Sequence, residues 1–88
     1  MPLDKTQARM DALTLAAEGR LFTDQADYFV GSELADSVKP AQPPIADAAD
    51  DLSNDGDLQQ GDQNGPDDLF AVVLTEAGAA LRDQWSQE

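Results

Sequence analysis

The period at which apolar residues recur changes along the chain, and each change marks an element. Between Lys5 and Glu18, Met10, Leu13 and Ala17 follow the 3.6-residue period, with Leu15 and Ala16 beside them, which predicts a first helix. Asp4 followed three residues later by Gln7 resembles a capping box, and Gly19 suits the position just past the helix end. The β-rich runs Arg20-Leu21-Phe22-Thr23 and Tyr28-Phe29-Val30-Gly31 flank the polar tetrapeptide Asp24-Gln25-Ala26-Asp27, which predicts a hairpin. Ser32 to Val38 reads as a short helix capped by Ser32, with Leu34, Ala35 and Val38 inward. Lys39-Pro40-Ala41-Gln42-Pro43-Pro44 reads as a stiff linker.

A second helix is expected from Pro44, because proline is favoured at the first helical position. Ile45, Ala48, Ala49 and Leu52 form its apolar stripe, while Asp47, Asp50 and Asp51 stand at i, i+3 and i+4 on another face. Asn54-Asp55-Gly56 ends it. Leu58-Gln59-Gln60 is a candidate short strand, and residues 61–68 form a polar loop containing the turn signal Asn64-Gly65-Pro66. Leu69-Phe70-Ala71-Val72-Val73-Leu74 is the strongest strand pattern in the chain. Thr75 then caps a last helix with Glu76 in its first turn, and Ala77, Leu81 and Trp85 line its expected buried side.

Length adds a bound: 88 residues allow one small domain, spanning 1–88. Leu, Ile, Val and Phe together number eighteen, so a core is affordable but small, and stability should be marginal. The chain has no Cys and no His, which removes disulfides, zinc fingers, thiol nucleophiles and imidazole bases. No nucleophile–base pair or Gly-rich phosphate loop stands out, so a non-enzymatic protein without a cofactor is expected. No apolar run approaches the ~20 residues of a membrane span, and Met1-Pro2-Leu3-Asp4 does not read as a signal peptide, so a cytoplasmic location is expected.

Charge changes the picture most. Five Lys and Arg against eighteen Asp and Glu give a formal net charge of -13. Fourteen of the acids are Asp, and no basic residue lies between Lys39 and Arg82. Such a balance repels phosphate and anionic lipid at long range, and favours a basic protein as partner.

The order helix, small β element, helix, strand, loop, strand, helix resembles a winged helix-turn-helix domain. Two local patterns carry the likeness. Leu52-Ser53-Asn54-Asp55-Gly56-Asp57-Leu58 is similar to the end of a recognition helix turning into the wing, and Val73-Leu74-Thr75-Glu76-Ala77-Gly78 to the strand-to-helix segment after it. The resemblance implies a small α+β fold of three to four helices with a short antiparallel β-sheet, a wing at about 58–74 and a C-terminal helix at about 75–86. In that family the recognition helix enters the major groove beside phosphates. Here the matching helix and turn carry Asp47, Asp50, Asp51 and Asp55, and the wing carries Asp62, Asp67 and Asp68, with no Lys or Arg. Asp57 follows Gly56 where an apolar residue is usual, and Ala79 stands where a basic residue often follows the glycine. Neutralising phosphates needs cations, so direct DNA binding by this face is not expected.

These seven Asp residues are the candidate partner site: a phosphate mimic for the basic groove of a nucleic-acid-binding protein, as a small inhibitor or regulator. Small acidic chains of this kind occur in phages and other mobile elements, an origin expected by resemblance alone. The alternative for the same residues is a solvated acidic surface suited to solubility or high salt. A transcription regulator that binds DNA would need Lys5, Arg9, Arg20, Lys39 and Arg82 on one face. A calcium module is a further alternative, because Asp51, Ser53, Asp55 and Gly56 fall on loop positions 1, 3, 5 and 6; Asp62 stands at the last position in place of Glu. A terminal helix often dimerises in the family, which implies a homodimer through the helix bearing Trp85.

Overall fold

The computed structural model describes residues 6–32, 37–63 and 68–87. Among them the elements run α1 (Gln7–Ala17), β1 (Leu21–Thr23), β2 (Tyr28–Gly31), β3 (Val38–Pro40), α2 (Pro43–Asn54), β4 (Leu58–Gln60), β5 (Phe70–Leu74) and α3 (Glu76–Ser86). The fold is a small α+β domain with three helices and one antiparallel sheet, strand order β3-β2-β1-β5-β4. No helix among the described residues is long and apolar enough to cross a membrane.

Both early helices stop the same way. After α1, Gly19 adopts φ +73 while its N–H reaches the Ala16 carbonyl and that of Arg20 the Leu15 carbonyl. After α2, Gly56 adopts φ +86, with the Gly56 N–H on Ser53 and the Asp57 N–H on Leu52. These are Schellman ends, in which a left-handed glycine lets the chain fold back over the last turn. At the front of α1 the cap is Thr6, whose hydroxyl accepts from the Arg9 N–H at 3.1 Å. The Asp4 cap expected from the sequence falls outside the described residues.

The expected hairpin is present: β1 and β2 pair with Leu21 opposite Val30 and Thr23 opposite Tyr28. Its tetrapeptide is closed by Asp24, whose carboxylate accepts from the Ala26 and Asp27 N–H groups at 2.9 and 2.6 Å. These bonds, Asp27's first, hold the Asp24 carboxyl below its ordinary pKa. The strand β5 is shared. Phe70 and Ala71 pair with β1, and Val72, Val73 and Leu74 pair with β4. Beyond β4, Ala71 faces both Gly61 and Asp62: it accepts from the Gly61 N–H at 2.6 Å and donates to the Asp62 carbonyl at 3.1 Å, a β-bulge at the start of the β4–β5 connection.

Side chains alternate across each strand, and residues opposite one another share a face. Leu21, Tyr28, Leu58, Val72 and Leu74 therefore point one way and meet the helices. They pack with Ala12, Leu13 and Ala16 of α1, Ala48, Ala49 and Leu52 of α2, and Trp85 of α3. Phe22, Phe29, Ala71, Val73 and Pro40 lie on the other face.

Several expectations need correction. Ala17 is exposed, and the buried stripe of α1 is Ala12, Leu13 and Ala16. The expected helix over Ser32 to Val38 does not reach Val38, which begins β3 opposite Gly31; residues 33–36, with Leu34 and Ala35, fall outside the described ones. Lys39 and Pro40 belong to β3 rather than to a linker, a place open to proline because β3 is an edge strand. The helix α2 starts at Pro43, one residue early. In α3, Ala77 is exposed and Gly78 is buried in its stead, alongside Trp85. The sheet also has more strands than a winged-helix pattern implies.

Candidate functional site

The helix α2 sets the acidic surface. At 3.6 residues per turn, Ala48, Ala49 and Leu52 fall on one side and are buried, with Ile45 half-buried beside them. Asp47 and Asp50 fall on the opposite side, and both are exposed. Asp51 lies at the boundary and is already engaged: Arg9 of α1 donates from Nη2 to its Oδ2 at 3.1 Å. One candidate carboxylate is thus spent on holding α1 against α2.

The other candidates are not gathered with these. Asp55 is the C-cap of α2, exposed, at the end where β4 begins. The strand β4 separates it from Asp62, which is exposed just after β4. Asp68 is exposed just before β5, in a left-handed conformation at φ 63, and its carbonyl accepts from the Gln63 side chain at 2.7 Å. Asp67 lies outside the described residues. Pairing of Thr23 with Phe70 brings the Asp24–Asp27 turn to the same end of the sheet as Asp62 and Asp68. The acids therefore form two groups, Asp47 and Asp50 along α2 and Asp24, Asp27, Asp62 and Asp68 at one end of the sheet.

The residue that sequence reasoning passed over as a site is Asp57. It is only 4% exposed, and its Oδ2 has no hydrogen-bond partner. Burial, then the charge of Asp55 and a hydrogen bond with it, push the Asp57 carboxyl above its ordinary pKa. The sequence did hold the signal. Asp57 is the residue two past the helix cap, where a Schellman end normally brings an apolar side chain back onto the helix. Its backbone is clamped as well. Thr75 donates its N–H to the Asp57 carbonyl at 3.1 Å and its hydroxyl to the Gly56 carbonyl at 2.6 Å, while that hydroxyl also caps α3 by accepting from Gly78.

Asp51 and Ser53 are helical, Asp55 to Asp57 form the helix end, and Leu58–Gln60 is a strand, so the calcium-like spacing is not one loop here. Among the described residues no three acids gather as a metal would need. The cations are dispersed: Arg9 is bound to Asp51, Arg82 is half-buried on α3, and Lys5 is outside the described residues. Arg20 and Lys39 line one groove of about 590 Å³ between α1, β2–β3 and the start of α2, but Asp11 and Glu18 line it too. Arg20 donates to the Gly31 carbonyl at 3.0 Å and lies 3.7 Å from Glu18. Trp85, expected on the buried side of the last helix, is 3% exposed within the core.

No protein-family model, curated protein or solved structure matches the chain.

Proposed function

We propose that this chain is a non-enzymatic, winged-helix-like protein that works through protein contacts, offering the acids of α2 and the wing to a basic surface, as a DNA mimic or small inhibitor of a nucleic-acid-binding protein. The observation that carries this reading is the outward side of α2, where Asp47 and Asp50 are exposed on a helix that has no Lys or Arg. The winged-helix element of the reading is supported by strand order. The strand after α1 pairs with β5, and β5 pairs with β4, so the hairpin after α2 is joined to the first strand. Between β1 and α2, strands β2 and β3 occupy part of the stretch where a helix-turn-helix carries its first helix.

Capture from a lysate of the source, with the protein as it stands and as the Asp47→Asn/Asp50→Asn variant, tests the proposal. Asp51 is left intact because it is tied to Arg9. The expected result is a basic nucleic-acid-binding protein that duplex DNA displaces and the variant no longer captures. Desolvated charge pairs of this kind cost about 2–5 kcal/mol each to truncate, and rim pairs much less. An unchanged set of captured proteins removes α2 as the contact. Tight duplex binding in a gel shift, weakening steeply with salt, would instead favour the DNA-binding alternative.

A further inference from the structure

The helical layer does not fill the inner face of the sheet out to its β3 edge. Residues opposite one another share a face, so Val30 and Lys39 lie on the same side as Leu21, which is in the core. Val30 is nevertheless only half-buried and no member of the core cluster, and the same holds for Ile45 at the start of α2. Between these residues and α1 lies the groove of about 590 Å³, within the ~300–1,000 Å³ range of small-molecule sites. Leu15, Val30, Ala41 and Ile45 give it apolar walls. Four charged side chains stand around it, and three are engaged. Arg20 donates to the Gly31 carbonyl at 3.0 Å and lies 3.7 Å from Glu18. Asp11 accepts from the Gln7 side-chain amide at 2.8 Å. The fourth, Lys39, is exposed and forms no ion pair among the described residues.

The front of α2 opens onto the same groove through Gln42 and Ile45. Gln42 is the N-cap and makes no side-chain cap bond, and the first turn holds no acid although Asp47, Asp50 and Asp51 follow on the same helix. The positive end of α2 is therefore left without a carboxylate of its own. We infer that this groove binds a small molecule with an apolar body and a single anionic group, such as a carboxylate or sulfonate, the body against Leu15, Val30 and Ile45 and the anion at Lys39 and the front of α2. Charge selects the ligand. A net charge of -13 repels anions from most of the surface, so a cation and a positive helix end beside apolar walls mark where one anion is tolerated. A polyanion would meet Asp11 and Glu18 on the α1 wall. The inference does not depend on the acidic surface having a partner.

Titration with anilinonaphthalene sulfonate, followed by fluorescence and by amide chemical shifts, tests it. One saturable site is expected, with shifts centred on Leu15, Val30, Lys39 and Ile45, and decanoate should displace the probe where butyrate does not. Lys39→Gln should weaken the sulfonate by about tenfold, the loss of one charge-assisted contact. The same variant should barely change binding of N-phenylnaphthylamine, which has the same body without the anion. Val30→Thr, which puts a hydroxyl on the apolar wall, should weaken both probes. Asp47→Asn/Asp50→Asn should weaken neither, which separates the groove from the outward side of α2. Absence of saturable binding, shifts centred on the outer sheet face, failure of decanoate to displace the probe, or equal loss of both probes in Lys39→Gln would overturn the inference. If Val30→Thr fails to fold, the two-probe comparison in Lys39→Gln, at an exposed position, still decides.

Discussion

Asp57 illustrates what one side chain costs where the fold wants something else. Its carboxyl is buried and half-satisfied, and burial raises its pKa. A raised pKa means that the folded protein holds this proton to higher pH than the unfolded chain does. Stability from the protonated form is therefore full below the ordinary Asp value of ~3.9 and is lost as pH rises through the raised one. Asp57→Asn should consequently be more stable than the unsubstituted protein at neutral pH. Thermal melts across pH should show the gap opening above about pH 4, and the gain recovers part of the ~1–3 kcal/mol that an unsatisfied buried polar group costs. A gap independent of pH would show that Asp57 is ionised equally in both states. Asp24 works in the opposite sense, since backbone N–H groups stabilise its charge; its contribution is present at neutral pH and fades as pH falls through its lowered pKa. The Asp57 position was legible as an anomaly in the sequence, but its burial was not. Nothing local announces that Thr75, eighteen residues on, closes over that turn.

Among elements, α3 comes closest to the turn that follows α2, where Gly78 lies against the Asp57 backbone. A Cβ on Gly78 would overlap the Asp57 carbonyl, which is backbone and cannot step aside. Gly78→Ala should destabilise toward the upper end of the ~1–3 kcal/mol range for overpacking, read from the urea midpoint, while Ala77→Ser on the exposed side should stay within ~0.5 kcal/mol. The helices α1 and α2 pack through Ala12, Leu13 and Ala16 against Ala48, Ala49 and Leu52, and one ion pair crosses at the rim. A double-mutant cycle on Arg9→Ala and Asp51→Ala should return a coupling of about 0.2–1 kcal/mol, because Asp51 is nearly half exposed. Elements with strong periodicity, such as α2, or with clear turn chemistry, such as the β1–β2 hairpin, were legible from the sequence. The strand β3 was not: its three residues include a proline, and only pairing with β2 makes it a strand. The buried side of α1 was misplaced because alanines lie all round that helix, so spacing alone does not separate Ala12 and Ala16 from Ala17. Gly78 escaped because glycine reads as a helix breaker, while here its missing side chain is what lets two backbones touch.

The whole molecule is set by its charge, which sequence alone revealed, and by how that charge divides into an α2 group and a group at one end of the sheet, which it did not. With eighteen acids facing five bases, the folded protein repels itself. Its melting temperature should rise between about 10 mM and 500 mM NaCl, where the Debye length shrinks from ~30 Å to only a few Å. A flat or falling curve would mean that the few ion pairs outweigh the repulsion. Sheet order has a consequence for how the protein is made. The strand β1 sits in the middle of the sheet, yet its β5 neighbour comes from about fifty residues later in the chain. At ~5–20 residues per second a ribosome needs roughly 3–10 s to supply that neighbour. For that interval one edge of Leu21–Thr23 has no strand to pair with, and unpaired edges recruit strands from other chains. Nascent chains crowded on one messenger would be most at risk of joining there, before β5 has emerged to claim the place.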